Sequence, residues 1–275
     1  MKDKNQNRLP GDFNLDGKVT LITGGGTGLG KAMALAMAQS GANVVISGRR
    51  MKPLQEVVGK IKTMGGQAIL IQTDVTKSTQ VNSMVKKTMD IFGRIDVLIN
   101  NAGIVRNDKP TPIWDITDTA WNLGINTNLT GAFYCARAVS SHMVKQGQGK
   151  IINISSVFGL RGGKDSYIYC CAKGGVLQLT RSLAVSLARF GVTSNCIVPG
   201  YIPTEGTEAM QESLPKEDFV PVGRFGTFDE IGDIAVFLGS NASDYMNGSV
   251  FTLDGGALAG GFAPTNHSPI VPLQN

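Results

Sequence analysis

Short apolar runs alternating with longer helical stretches predict an α/β chain, a Rossmann-type doubly wound seven-stranded parallel sheet in a single domain of this 275-residue protein. Two further observations support that class. The apolar runs are short and punctuated by glycine, as strands buried on both faces are. A glycine-rich turn, Gly24 to Gly30, stands between the first apolar run and the first helical stretch.

The elements follow in order. Residues 18–23 form the first strand, and the alanine- and methionine-rich residues 31–40 are good helix formers that Gly41 ends. Residues 42–47, 68–72 and 95–99 are the next strands, with helices over 54–64 and 81–92 between them. One long helix is expected over 121–146, then a strand at 150–154 and a helix over 169–190. A strand at 193–198, a helix at 228–238 and a last strand at 249–253 complete the pattern. Right-handed crossovers between parallel strands give the doubly wound order. Residues 1–13 read as a flexible N-terminal arm and 14–256 as the domain. Residues 257–275, with Pro264, Pro269 and Pro272, read as an extended C-terminal tail.

Composition narrows the function. Hydrophobic residues make up 42% and charged residues 17%, an ordinary globular balance. The net charge of +5 comes from scattered basic residues, which argues against nucleic-acid binding. Cys135, Cys170, Cys171 and Cys196 have no metal or redox spacing; the adjacent Cys170 and Cys171 read as small hydrophobes packed on their helix, and no metal site is expected. The polar N-terminus lacks a signal core and no stretch suits a bilayer, so the expectation is a cytoplasmic protein without membrane contact.

The chemistry lies in the turns that follow the strands. Glycines at 24, 26, 28 and 30 let backbone approach a pyrophosphate at a helix N-terminus, which points to a dinucleotide. After the second strand Gly48 and Arg49 occupy the place where an acidic residue would favour NAD. A guanidinium there suits a 2′-phosphate, so NADP is preferred and NAD stays possible; a solvated basic turn is the plain alternative. Asp74 either accepts a hydrogen bond from adenine or caps the next helix. Asn100-Asn101-Ala102-Gly103 and Pro199-Gly200-Tyr201-Ile202 follow later strands, at the sheet edge where ligands lie. Tyr169 and Lys173, four apart, share a helix face, and a nearby ammonium favours a phenolate that exchanges protons.

These motifs resemble the short-chain dehydrogenase/reductase family. The matching pieces are the glycine loop at 23–30, Asn100 to Gly103, Asn128-Leu129-Thr130-Gly131, Ser156, Tyr169 with Lys173, Pro199-Gly200 and Asp254-Gly255-Gly256, covering roughly residues 14 to 256 in the family's order. The resemblance implies an NAD(P)-dependent oxidoreductase acting on a secondary alcohol or ketone. Tyr169 would exchange the proton, Ser156 would hold the substrate oxygen, and Lys173 would lower the tyrosine pKa and bind the nicotinamide ribose. Asn128 would support a water chain to Lys173. The cofactor would lie along Gly24, Gly26, Thr27, Gly28, Leu29, Gly30, Arg49, Asp74, Val75, Asn101, Ala102, Gly103, Tyr169, Lys173, Pro199, Gly200, Ile202 and Thr204. Substrate would meet Ser156, Phe158, Tyr169 and Tyr201. The family's serine stands thirteen residues before its tyrosine, which sets Ser155 aside, and Tyr167 lies off the face of Lys173.

Substrate identity is less legible. Expected pocket walls are Val157, Phe158, Leu160 and Tyr201, with basic Arg106, Arg161 and Lys164, under a lid at 205–220. The segment carrying Pro110, Pro112 and Trp114 would form a rim or a plain insertion. The chain resembles acyl-carrier-protein ketoreductases and gluconate-type dehydrogenases. The former's basic docking residues are reduced here to Arg189, beside a Gln146-to-Gly149 turn. A 3-oxoacyl thioester, a sugar acid or polyol, and a cyclic ketone all remain open. The family commonly forms homotetramers. A catalytically silent binding or structural subunit is the rival reading, opposed by the complete catalytic set. A sugar-nucleotide epimerase is disfavoured by the missing substrate domain.

Overall fold

The structure, a computed structural model, describes residues 13–104, 111–205, 207 and 220–260. Seven strands, β1 (Val19–Thr23), β2 (Asn43–Gly48), β3 (Ala68–Gln72), β4 (Val97–Asn100), β5 (Gly149–Ile154), β6 (Val192–Pro199) and β7 (Val250–Leu253), form one sheet. Their order is β3-β2-β1-β4-β5-β6-β7, every pairing parallel. The order reverses direction between β1 and β4, which opens a crevice beyond the strands' carboxyl ends.

Alternate strand residues feed the two faces. Ile22, Val44, Ile46, Ile99 and Ile152 pack against the helices α1 (Gly28–Gln39) and α2 (Met51–Thr63). Leu21, Val45, Leu98 and Ile151 face the other way, against α3 (Ser78–Phe92) and a later helix that carries Cys135, Val139 and Met143. The central strands therefore carry apolar residues on both faces, as the short runs predicted.

The stretch expected as one helix over 121–146 is broken. It comprises α4 (Asp118–Ile125), a π turn (Asn126–Thr130) and α5 (Gly131–Gln146). Two polar side chains take helical carbonyls within it: Thr127 Oγ1 donates to Leu123 O (2.8 Å) and Asn128 Nδ2 to Gly124 O (3.1 Å). The Gly131 N–H then reaches back to Asn126 O, the wider spacing of a π bulge. The one-turn helix α6 (Val157–Leu160) follows β5, and α7 (Tyr167–Leu187) covers β5 and β6. Its expected end at 190 is instead a short 3-10 turn, Ala188–Phe190.

The last helix, α8 (Phe228–Gly239), packs beside α1. Its start is a full capping box, with Thr227 Oγ1 accepting from the Glu230 N–H and Glu230 Oε2 accepting from the Thr227 N–H.

Both domain ends differ from expectation. Phe13, placed in the flexible arm, packs on Phe237 with ring centroids 6.0 Å apart. Residues 257–260, placed in the extended tail, form a turn because the Asp254 carboxylate accepts the N–H groups of Gly256 (2.9 Å) and Leu258 (2.7 Å), burying Ala257. Arg106 and Pro110, most of the expected lid, and residues 261–275 with their prolines and His267 lie outside the described residues. No helix among the described residues is long and apolar enough to cross a membrane.

Candidate active site

The loops after β1, β4, β5 and β6 line one crevice of about 590 Å³. Thr23, at the end of β1, ties two of them together: its hydroxyl accepts from the N–H groups of Asn101 (3.1 Å) and Ala102 (3.0 Å). Gly24 then turns at φ +67°, where a side chain would be strained. Thr27 is the extended N-cap of α1 and makes no side-chain cap, so the first N–H groups of that helix are left for a ligand beside Gly26, Gly28 and Leu29.

Two expected cofactor residues serve the loop instead. Gly30 does not line the crevice; a Cβ there would sit 2.3 Å from Gly24 O, so it is glycine for packing. Asn101 borders the crevice, but its amide is committed to the loop, donating to Thr23 O (2.9 Å) and Gly24 O (3.3 Å). That amide holds the glycine turn in shape while the residue borders the crevice.

Arg49 and Arg50 are exposed where β2 ends, and both line the crevice with Asp74 and Val75. Asp74 is not a helix cap, because Lys77 holds that place for α3. Its carboxylate accepts from the Thr76 N–H (3.0 Å) and hydroxyl (2.8 Å). Burial raises its pKa, but these bonds and the charges of Arg49 and Lys77 together outweigh that and keep it below the ordinary value. The fixed turn presents an electropositive rim that suits a phosphate.

The catalytic candidates converge at the other end. Ser156 sits at the N-cap of α6, accepting the Phe158 N–H at 3.2 Å, and its hydroxyl interacts with the Tyr169 phenol in a way that favours the phenolate. Phe158 meets Tyr169 edge-on, with centroids 6.4 Å apart. Lys173 Nζ lies 5.7 Å from the Tyr169 ring centroid and donates to Ile154 O at 2.9 Å. Ser155 points away from the crevice chemistry, its hydroxyl donating to Lys173 O at 2.8 Å. Asn128 accepts the Ile104 N–H (3.1 Å) and donates to Ile104 O (3.3 Å), pinning the chain after Gly103.

The electrostatics correct one expectation. Burial pushes the Tyr169 phenol above its ordinary value, and the Ser156 hydrogen bond only partly opposes it. Burial also brings Lys173 down to about 8. Both groups are driven toward neutrality, so the phenol stays above its ordinary value despite the lysine beside it; the low-dielectric floor of the crevice wins.

A family model described as enoyl-(acyl carrier protein) reductase matches residues 24–257. The chain is a short-chain dehydrogenase/reductase. It is 41% identical to a 3-oxoacyl-[acyl-carrier-protein] reductase of Synechocystis sp. over 246 residues, covering 89% of this chain and 98% of that one. It is 36% identical to a 2-dehydro-3-deoxy-D-gluconate 5-dehydrogenase of Dickeya dadantii, covering 90% and 98%. Among solved structures, a gluconate 5-dehydrogenase from Burkholderia cenocepacia in complex with NADP and tartrate superposes with TM-score 0.85 at 35% identity, covering 90% and 98%. As a member of this family the chain is an oxidoreductase working between a nicotinamide dinucleotide and a carbonyl or secondary alcohol.

The remaining family positions fall into place around the crevice. Gly103, Pro199, Gly200, Ile202 and Thr204 all line it, and Gly28 packs against the Thr204 side chain across its mouth. Thr204 is held by Thr207, whose hydroxyl accepts the Thr204 N–H at 3.1 Å. Thr207, Thr127 and Ser166 line the crevice too, and the sequence reading missed them because no fixed motif marks them. Tyr201 stacks near Phe225 (5.6 Å), and the expected basic wall is displaced outward: Arg161 and Lys164 are exposed and Leu160 faces solvent, none of them lining the crevice. Gln146, at the end of α5 before β5, braces the start of β4 by bonding both the N–H (3.1 Å) and O (3.0 Å) of Ile95. Cys171, expected to pack, is exposed.

Proposed function

We propose that this enzyme interconverts a ketone and a secondary alcohol with NADP(H) in preference to NAD(H), Tyr169 carrying the proton. The supporting observation is the convergence of Ser156, Tyr169 and Lys173 on the same crevice as the glycine loop and Arg49. The residues fit the dinucleotide: an open helix N-terminus faces the pyrophosphate position, and two guanidinium groups stand at the adenosine end. Bound cofactor supplies or accepts the hydride. The chain's own groups do the rest. Ser156 orients the substrate oxygen, and Tyr169, protonated at neutral pH, donates to it in the reducing direction. Asn128 fixes the loop above Lys173, and Phe158 and Tyr201 wall the reacting carbon from water.

The relatives named for 3-oxoacyl thioesters and for a deoxygluconate give the two leading substrate classes, with a neutral cyclic ketone as the third. A panel of these ketones with NADPH and NADH, followed by loss of reduced-cofactor absorbance, tests the assignment. Arg49→Ala is expected to weaken NADPH binding about 10- to 100-fold, the worth of a charged hydrogen bond, while NADH binding changes little. Equal loss of both cofactors sinks the 2′-phosphate role. No turnover with either cofactor, together with no dinucleotide binding, marks a silent subunit instead.

We further propose a cytoplasmic homotetramer, supported by the family resemblance and by exposed apolar side chains, Phe133 and Val185, on the long helices α5 and α7. Light scattering is expected to give four times the 29.1 kDa chain mass; a monomer contradicts it.

A further inference from the structure

A second cavity, about 220 Å³, lies beside the first. The two share Leu123, Asn128, Ser166 and Tyr169 as a common wall, so Tyr169 faces both. Its far side is built from α4 and the start of α7, with Ile116, Ala120 and Ile168 as apolar lining. No motif of the family reading uses these residues.

Ser166 is the informative side chain. It stands three residues before Tyr169, one helical turn away, and is 9% exposed. It occupies the N-cap of α7, yet its hydroxyl makes no cap, and among the described residues it has no hydrogen-bond partner. A serine at that place ordinarily satisfies the helix. This residue is buried at the junction of two cavities with its hydroxyl uncommitted, which is the position of a ligand-binding hydroxyl.

The charges on the described walls are both carboxylates, Asp115 and Asp165. The Tyr167 hydroxyl donates to Asp165 Oδ1 at 3.5 Å, so that carboxylate is held on the cavity side of α7. On the described walls an anionic group meets like charge, while the apolar side chains suit a carbon branch; residues 105–110, which join Ile104 to Thr111, lie outside the described residues. At about 30 Å³ for each water displaced, the space takes roughly seven waters, enough for a phenyl-sized group.

We propose that this lateral cavity is a substrate subsite for an uncharged branch beyond the reacting carbon, with the Ser166 hydroxyl binding a hydroxyl or second carbonyl on that branch. The inference rests on the ketone–alcohol reading above and selects among its substrate classes: it favours a neutral, branched or cyclic ketone over a sugar acid.

The test compares butan-2-one, 4-phenylbutan-2-one and the para-carboxylate of the latter with NADPH. The phenyl ketone is expected to exceed butan-2-one in kcat/KM by about 10-fold, and its carboxylate to fall below it by a similar factor. Ala120→Phe, which fills the cavity, is expected to collapse the phenyl preference; Asp165→Asn is expected to restore the carboxylate. Ser166→Ala is expected to cost about 5-fold for a branch bearing a hydroxyl, and nothing for the same branch without it. Melting temperatures confirm that each variant folds. An unchanged preference in Ala120→Phe, or a carboxylate preferred by the unmodified enzyme, overturns the subsite. Binding of 4-phenylbutan-2-ol, read by saturation-transfer NMR, gives a measure without turnover. Binding that Ala120→Phe abolishes, in a protein that reduces no ketone, contradicts the catalytic reading alone. Ketone reduction with binding and preference untouched by the filled cavity contradicts the subsite alone.

Discussion

Tyr169→Phe is expected to slow ketone reduction by about 10³-fold while NADPH binding stays within a few-fold, the usual scale for deleting a general acid. The substitution removes one oxygen and keeps the ring, so the edge contact with Phe158 survives. What is lost is the proton donor and its interaction with the Ser156 hydroxyl. Cofactor fluorescence reads binding, and absorbance of the reduced cofactor reads turnover. Residual activity within ten-fold of the parent would mean that another group, with Tyr167 the nearest phenol in sequence, delivers the proton. The pH dependence adds a second check. Burial holds the Tyr169 phenol above its ordinary value, so the donor stays protonated through neutral pH. Reduction should therefore be flat from pH 6 to 7, and oxidation, which needs the phenolate, should climb with pH.

Much of this site is legible in the chain before any coordinates, for a physical reason. A parallel sheet must bury both faces, so its strands announce themselves as apolar runs, and the turns after them must carry the ligand. Tyr169, Ser156, Asn128 and the glycine loop stand at those turns. What the pattern misses is what a side chain does once it is there. Gly30 and Asn101 belong to the motif, yet Gly30 only shapes the loop, and Asn101 borders the crevice with its amide committed to holding the glycine turn. The π turn at Asn126–Thr130 is invisible to helix propensity, because it arises where Thr127 and Asn128 side chains compete for backbone carbonyls. The lateral cavity joins segments around 116–124 and 165–169, and no local pattern records that meeting. The lysine's effect on the tyrosine failed for a similar reason: spacing along a helix gives proximity, but burial decides which protonation state wins.

Lys173→Met is expected to remove activity by at least about 10²-fold and yet to leave the protein as stable as the parent, or more so, at pH 7. Lys173 is buried, and its pKa falls from an ordinary 10.5 to about 8. Between those two pH values the unfolded chain holds a proton that the folded one has released, so stability rises with pH across that window. Below pH 8 the cost of burying the ammonium is present in full, on the order of 3 kcal/mol. Methionine keeps the straight side chain and avoids that cost. Against it stands the bond from Nζ to Ile154 O, whose loss leaves a buried carbonyl unpaired at about 1–3 kcal/mol. The two terms nearly cancel, with a small gain for the variant and a melting temperature equal to or a few degrees above the parent's at pH 7. The gap must then shrink and reverse as the pH rises toward 10, because the parent recovers its charge penalty while the variant has none to recover. Melting curves from pH 6 to 10 read this directly. A variant destabilised by the same amount at every pH would show that Lys173 is held by packing alone. It would also show that the chain does not give up stability to place an ammonium beside Tyr169.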